Sequence, residues 1–157
     1  MTPAVITSST CAFVVGTNAY TDFPPLQNGV KDAQIVEEDL RQFGVERIIS
    51  ALDCTYAQLT EKTNQYLSKL REGDVALVYL AAHAAMFQNQ HVFLATDSNK
   101  GNIARTSLGV QLLLTRSAPF YFLFTCAIRL HAHITLVLLH EYFQYCTVQS
   151  KNDCIDS

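Results

Sequence analysis

One cysteine and one histidine of this 157-residue chain each stand directly after an apolar run, where a nucleophile and its base would be expected. His83 follows the apolar residues 75–82, and Cys126 follows residues 120–125. A thiol attacks at neutral pH only where a neighbour favours its thiolate or removes its proton, and an imidazole does either. The pair therefore predicts nucleophilic catalysis. The alternative is an inert core cysteine and a histidine with one satisfied hydrogen bond.

The two apolar runs predict strands that place both side chains on one edge of a sheet. Residues 75–82, opened by Gly73, have the continuous apolar character of a parallel strand that is buried on both faces. Residues 120–125 are rich in aromatic side chains and predict a further core strand. Because α/β sheets bind ligands beyond the carboxyl ends of their strands, His83 and Cys126 are expected on the same rim.

The remaining segments alternate between strand and helix patterns, which predicts an α/β fold with a parallel sheet and helices on its faces. Helix patterns have apolar residues three and four positions apart, and a capping box at Thr55 marks one helix start. Strands are predicted over 11–15, 45–52 and 91–95, the last as an extra strand or hairpin arm, and helices over 30–43, 55–72 and 106–114.

Composition excludes several classes of partner. With 11 basic and 14 acidic residues the net charge is −3 and there is no basic run, so neither nucleic acid nor an anionic membrane is an expected partner. Five cysteines at irregular spacing and no secretory signal favour a reducing, cytoplasmic setting. Charged residues interrupt the apolar segment 120–145, which makes it a poor membrane-spanning helix.

Four segments together resemble one known family. They are Ala12-Phe-Val-Val-Gly-Thr-Asn-Ala-Tyr20, Leu26-Gln-Asn-Gly-Val-Lys-Asp-Ala33, Asp53 before a helix, and residues 73–83. In order and spacing they are similar to the large-subunit region of the caspase-like cysteine peptidases, closest to the paracaspase and metacaspase branches. The resemblance covers about residues 11–115. It implies a caspase-like three-layer sandwich, a mostly parallel sheet with helices on both faces, truncated at the C-terminus.

The resemblance also implies roles for individual residues. His83 would be the general base and acid, and Cys126, by position, the nucleophile of an endopeptidase. The backbone N–H groups of Ala84 and Cys126 would hold the oxyanion. Asp32 would line the pocket for the side chain before the cleaved bond and select Arg or Lys; its alternative role is a first-turn acid that favours the helix dipole. The partner would be a protein or peptide substrate, with no metal and no organic cofactor.

Three departures from the family pattern favour a second interpretation. Ala84 stands where the family has glycine, which would be strained if that backbone needed a positive φ. Phe124 stands where an acidic residue usually forms a second wall of the pocket. The stretch after Cys126 is too short for the small-subunit region, which a homodimer or a caspase-like partner could supply. The alternative is therefore a catalytically impaired interaction or regulatory module; an unrelated doubly wound binding domain is a third possibility.

The domain organisation expected from these patterns has three parts. Residues 1–10 are expected to be a flexible N-terminus, 11–126 the caspase-like domain, and 127–157 a divergent apolar tail that could come from a truncated or altered coding sequence. The tail contains potential zinc ligands, but their spacing matches no known motif, so we expect no metal there. These residues are His131, His133, His140 and Cys146.

Overall fold

The computed structural model describes residues 10–110, 112–113 and 121–126. Of the expected flexible segment 1–10, only Thr10 is described, and it is the first residue of a strand. The expected tail 127–157, with the potential zinc ligands in it, lies outside the described residues.

The described residues form seven strands and two long helices. The strands are β1 (Thr10–Gly16), β2 (Arg47–Leu52), β3 (Val75–Ala81), β4 (Ala84–Phe87), β5 (Gln90–Leu94), β6 (Ser107–Gly109) and β7 (Tyr121–Cys126). The long helices are α1 (Gly29–Gln42) and α2 (Tyr56–Lys69); a short α3 (Ile103–Thr106) follows later. No helix in this part of the chain is both long and apolar enough to cross a membrane.

Four of the strands form one parallel sheet in the order β2-β1-β3-β7. The two central strands, β1 and β3, consist mainly of Val, Ala, Leu and aromatic residues, and almost all of their residues are buried. Each successive parallel strand along the chain is reached through a helix or a longer connection, as parallel pairing requires. The predicted α/β class is therefore confirmed.

The two long helices cover opposite faces of this sheet. Side chains of β1 alternate, with Ala12 and Val14 on the face that packs against α1, and Phe13 on the face that packs against α2. On the α2 face, the rings of Phe13 and Tyr66 stack with centroids 5.3 Å apart. The first face also buries Ala33, Leu77 and Tyr79, and the second Leu59, Val78 and Leu80.

Local sequence signals mark the start of α2 and the end of α1. Thr55 caps α2 by accepting the backbone N–H of Gln58, and the Gln58 side chain accepts the Thr55 N–H, so the predicted capping box is present. After α1, Gly44 adopts a φ of 84°, the left-handed conformation that glycine tolerates at a helix end.

A small antiparallel sheet, ordered β4-β5-β6, lies after β3 in the chain. Gln88 and Asn89 form the turn of the β4–β5 hairpin with φ of 49° and 59°, and this hairpin contains the predicted extra strand.

The helix predicted over 106–114 is wrong at its start. Residues Ser107–Gly109 pair with β5 as β6, since three residues carry too little local signal to outweigh pairing with a distant strand.

Candidate active site

His83 lies two residues beyond β3, at the carboxyl edge of the parallel sheet, as predicted. Its half-buried side chain faces the β1–α1 loop (residues 17–28). The backbone N–H of His83 donates to the Tyr20 hydroxyl at 2.8 Å, and its carbonyl accepts the Leu94 N–H at 3.0 Å. Contacts from two different elements thus fix the backbone of His83.

The imidazole of His83 is held by the same loop. Its Nε2 atom lies 2.8 Å from the carbonyl oxygen of Pro24. Because a carbonyl oxygen can only accept, Nε2 carries the proton, and in the neutral imidazole Nδ1 is then the basic nitrogen. The Tyr20 ring lies against the imidazole with centroids 4.8 Å apart and planes tilted by 49°.

The β1–α1 loop is tied to the strand ends around it. The Asp53 carboxylate accepts the backbone N–H groups of Asn18 at 2.7 Å and Ala19 at 3.0 Å. The N–H of Thr21 donates to the carbonyl of Thr96 at 2.9 Å. These bonds flank Tyr20 in the chain, so the loop that contacts His83 is itself anchored from the ends of β2 and β5.

Cys126 is the last residue of β7, and β7 pairs with β3 so that Cys126 is opposite Leu80. His83 follows Leu80 by three positions. Neighbouring strands lie about 4.8 Å apart and a strand advances about 3.3 Å per residue, so the backbone places both residues at one edge of the sheet, with His83 up to about 10 Å farther along than Cys126. This is the strand arrangement that the two apolar runs predict.

Ala84 begins β4 directly after His83 and is exposed. Among the described residues other than glycine, positive φ occurs only at Asp53, Gln88 and Asn89, so Ala84 does not have the backbone conformation in which alanine would be strained. The carbonyl of His83 points towards β5, where it accepts the Leu94 N–H. Because the peptide is planar and trans, the Ala84 N–H points the opposite way.

Asp32 is half-buried in the first turn of α1. This turn lies close to the strand ends: a Cβ atom on Gly29 would be 2.6 Å from the Thr17 carbonyl oxygen and 2.7 Å from that of Ala81. No hydrogen bond or ion pair joins Asp32 to His83 within the described residues. The structure therefore places Asp32 at the same edge of the sheet without joining it to the imidazole.

Two further cysteines among the described residues are free thiols. Cys11 is fully buried, and Cys54 is half-buried with its Sγ 3.6 Å from the Leu52 carbonyl oxygen. Burial raises the pKa of both thiols, which makes them poorer nucleophiles. Cys54 follows β2, which β1 separates from β3, so it lies farther along the edge from His83 than Cys126 does.

The described residues contain no group of three His, Cys, Asp or Glu side chains that could hold a metal ion.

The contacts of His83 with Tyr20 and Pro24 were not predicted from the sequence. Tyr20 is the last residue of one of the four segments that resemble the caspase-like family, so the sequence did mark it. Loop residues have no repeating pattern, however, and the sequence therefore could not show which residue Tyr20 contacts.

Comparison with known proteins supports the fold alone. No family model and no curated protein sequence matches the chain. Among solved structures, it is similar to protein GSU0716 from Geobacter sulfurreducens, with a TM-score of 0.57 and 14% sequence identity over 75% of this chain and 48% of that chain. The chain thus spans about half the length of that protein, and the two share an α/β architecture.

Proposed function

We propose that the chain is a caspase-like cysteine endopeptidase domain in which Cys126 and His83 form a catalytic dyad. The observation that carries the proposal is the β3–β7 register, which puts Cys126 opposite Leu80 and thus beside the strand that ends before His83. The sheet order and the helices on both faces are compatible with the caspase-like sandwich that the sequence resembles.

The proposed reaction is acyl transfer through a thioester. Nδ1 of His83 takes the Cys126 proton, the thiolate attacks the peptide carbonyl, and the imidazolium returns the proton to the leaving amine. Water then attacks the thioester, again with His83 as base. The Pro24 carbonyl supports this role, because it keeps the proton on Nε2 and leaves Nδ1 as the base.

The backbone N–H groups of Ala84 and Cys126 would stabilise the oxyanion of the tetrahedral intermediate. The direction of the Ala84 N–H, away from β5, is consistent with this role. Ordinary extended geometry at Ala84 means that the family's glycine is not needed to hold the backbone in this conformation.

Adduct mapping tests the dyad. We expect a peptidyl-arginine acyloxymethyl ketone to label Cys126 at least about tenfold faster than Cys54, because His83 follows the strand next to that of Cys126, whereas β1 separates Cys54 from that strand. His83→Ala should abolish this preference, whereas His91→Ala, an exposed histidine on β5, should keep it. Equal labelling of the two cysteines in the unmodified chain would contradict the dyad.

Asp32 would give the pocket its preference for arginine or lysine, because a carboxylate pairs well with a guanidinium. We expect Asp32→Asn to lower the labelling rate with the arginine probe by about 10- to 100-fold, equal to about 1.4 to 2.8 kcal/mol. Alkylation of Cys126 by iodoacetamide should be unchanged. Glu38→Gln, which removes an exposed acid from the same helix, is the matched control.

The second candidate is a caspase-like binding module without peptidase activity. It is favoured by Phe124, which occupies the position in β7 where the resemblance implies a second pocket acid. This candidate predicts that the chain binds arginine-containing peptides in a fluorescence polarisation assay but forms no adduct. Labelling of Cys126 that depends on His83 would exclude it.

A further inference from the structure

Tyr20 contacts His83 through both its hydroxyl and its ring. The hydroxyl accepts the His83 backbone N–H at 2.8 Å, and the two rings lie with centroids 4.8 Å apart. The Nε2 atom of the imidazole donates to the carbonyl of Pro24. One loop therefore holds both the backbone and the side chain of His83.

The contacts with Tyr20 and Pro24 restrict the movement of His83. His83 lies beyond the last residue of β3, so the ladders of the parallel sheet no longer hold it, and only its carbonyl is bonded to a strand, β5. A general base must stay within hydrogen-bond reach of the proton that it removes, and small displacements of a reacting group cost large factors in rate. A hydrogen bond to the backbone and a ring contact restrict this residue at the point where the strand ends.

We propose that Tyr20 is a positioning residue for His83 and acts through the imidazole without touching the substrate. Its effect on catalysis rests on the proposed dyad, whereas its effect on the geometry of His83 does not.

The chemistry and the support of Tyr20 suit this role. A phenol keeps its proton at neutral pH, and burial raises the pKa of Tyr20 further, to about 12, while the hydroxyl lone pair accepts from His83. The hydroxyl also has a hydrogen bond with the Thr17 side chain. Asp53 binds the N–H groups of Asn18 and Ala19, the two residues before Tyr20, and so limits where the phenol can move.

The test uses Tyr20→Phe, which removes only the hydroxyl, and Tyr56→Phe as the matched control. Tyr56 is half-buried at the start of α2, outside the loop. The imidazole nitrogens of His83, assigned by comparison with His83→Gln, are followed by 15N NMR. We expect a single Nε2–H tautomer in the unmodified chain and in Tyr56→Phe, and averaged nitrogen signals in Tyr20→Phe.

The second readout is labelling of Cys126 by the arginine probe. We expect Tyr20→Phe to lower the maximal rate about tenfold and to leave the half-saturating probe concentration unchanged, because the loss concerns the base and not the pocket. Thermal unfolding measures any general structural effect. A variant with a lower melting temperature but an unchanged tautomer and unchanged rate would overturn the proposal.

The two readouts separate the two hypotheses. If the unmodified chain shows no labelling that depends on His83, the dyad fails, and the NMR signals alone then decide whether Tyr20 positions His83. If labelling depends on His83 and Tyr20→Phe behaves like Tyr56→Phe in both readouts, the dyad stands and the role of Tyr20 is refuted.

Discussion

Ala84 stands next to the proposed base and differs from the glycine that the resemblance implies. Its place in β4 and its φ outside the positive range show that the side chain meets no backbone strain there. The methyl group is exposed, so it does not crowd the core. Alanine at this position is therefore compatible with the proposed site.

Replacing Ala84 by glycine should improve neither the stability of the chain nor the rate of Cys126 labelling. Since no strain is relieved and glycine loses more conformational freedom on folding, we expect Ala84→Gly to lower the free energy of unfolding by about 0.5–1 kcal/mol. The rate of Cys126 labelling should change less than about threefold. Urea unfolding and probe kinetics measure the two effects. A tenfold faster reaction of the glycine variant would show that Ala84 impairs the site.

The places of His83 and Cys126 in the fold could be predicted from the sequence because their signal is local. His83 and Cys126 end apolar runs, and strand topology then brings such ends together. Tyr20 and Pro24 could not be assigned to His83, since their contacts join a loop to a strand end about 60 positions later in the chain. Such contacts depend on how the loop is folded, which no spacing rule gives.

At the scale of elements, the N-terminus of α1 meets the carboxyl ends of β1 and β3 with almost no space between them. A Cβ atom on Gly16 would lie 2.6 Å from the Ala33 Cβ and from the Gly29 carbonyl oxygen. A Cβ on Gly29 would collide with two carbonyl oxygens of the strand ends. These two glycines let the helix that carries Asp32 approach the edge where His83 lies.

Gly29→Ala should therefore be destabilising, although alanine normally favours a helix. The added methyl group must displace backbone atoms, and we expect a loss of about 1–3 kcal/mol in the free energy of unfolding. Gly109→Ala is the control, because a Cβ there meets no atom within 4 Å. Urea denaturation of both variants measures the difference. Equal stabilities would show that α1 can shift away from the strands at little cost.

Elements with strong local patterns agree with the sequence, whereas the short strand β6 does not. The capping box predicted the start of α2, and its buried residues Leu59, Thr63 and Tyr66 have the predicted spacing of three and four positions. The apolar run predicted β3. In contrast, β6 is three residues long and exists through its pairing with β5, so a sequence window assigned it to a helix.

At the scale of the whole molecule, a charged pair joins β2 to the start of β3 on the side of the sheet opposite the candidate site. The Arg47 guanidinium binds the Asp74 carboxylate in two places, at 2.7 and 2.6 Å, and Asp74 is only 4% exposed. The Arg71 N–H also donates to this carboxylate. These hydrogen bonds, led by those from Arg47, hold the pKa of Asp74 below its usual value.

Because the pKa of Asp74 is lowered, the folded chain should lose stability as the pH falls into the acid range. The contribution of Asp74 is complete above the ordinary carboxyl pKa of about 3.9 and is lost as the pH falls through the lowered folded value. We expect Asp74→Asn to cost about 3 kcal/mol at pH 7, because Arg47 loses its partner, and progressively less below pH 4. Urea unfolding across pH 2.5–7 measures this. Glu38→Gln, with an expected change within about 0.5 kcal/mol, is the surface control.

Peptide hydrolysis tests most directly the proposal that Cys126 and His83 act together on peptide bonds after basic residues. The unmodified chain, Cys126→Ala, His83→Ala and the control His91→Ala are incubated with matched peptides that have arginine or aspartate before the scissile bond. We predict cleavage of the arginine peptide by the unmodified chain and by His91→Ala, and loss of cleavage by about 100-fold or more in the other two variants. Cleavage that persists in His83→Ala and Cys126→Ala, or no cleavage by the unmodified chain, would contradict the claim.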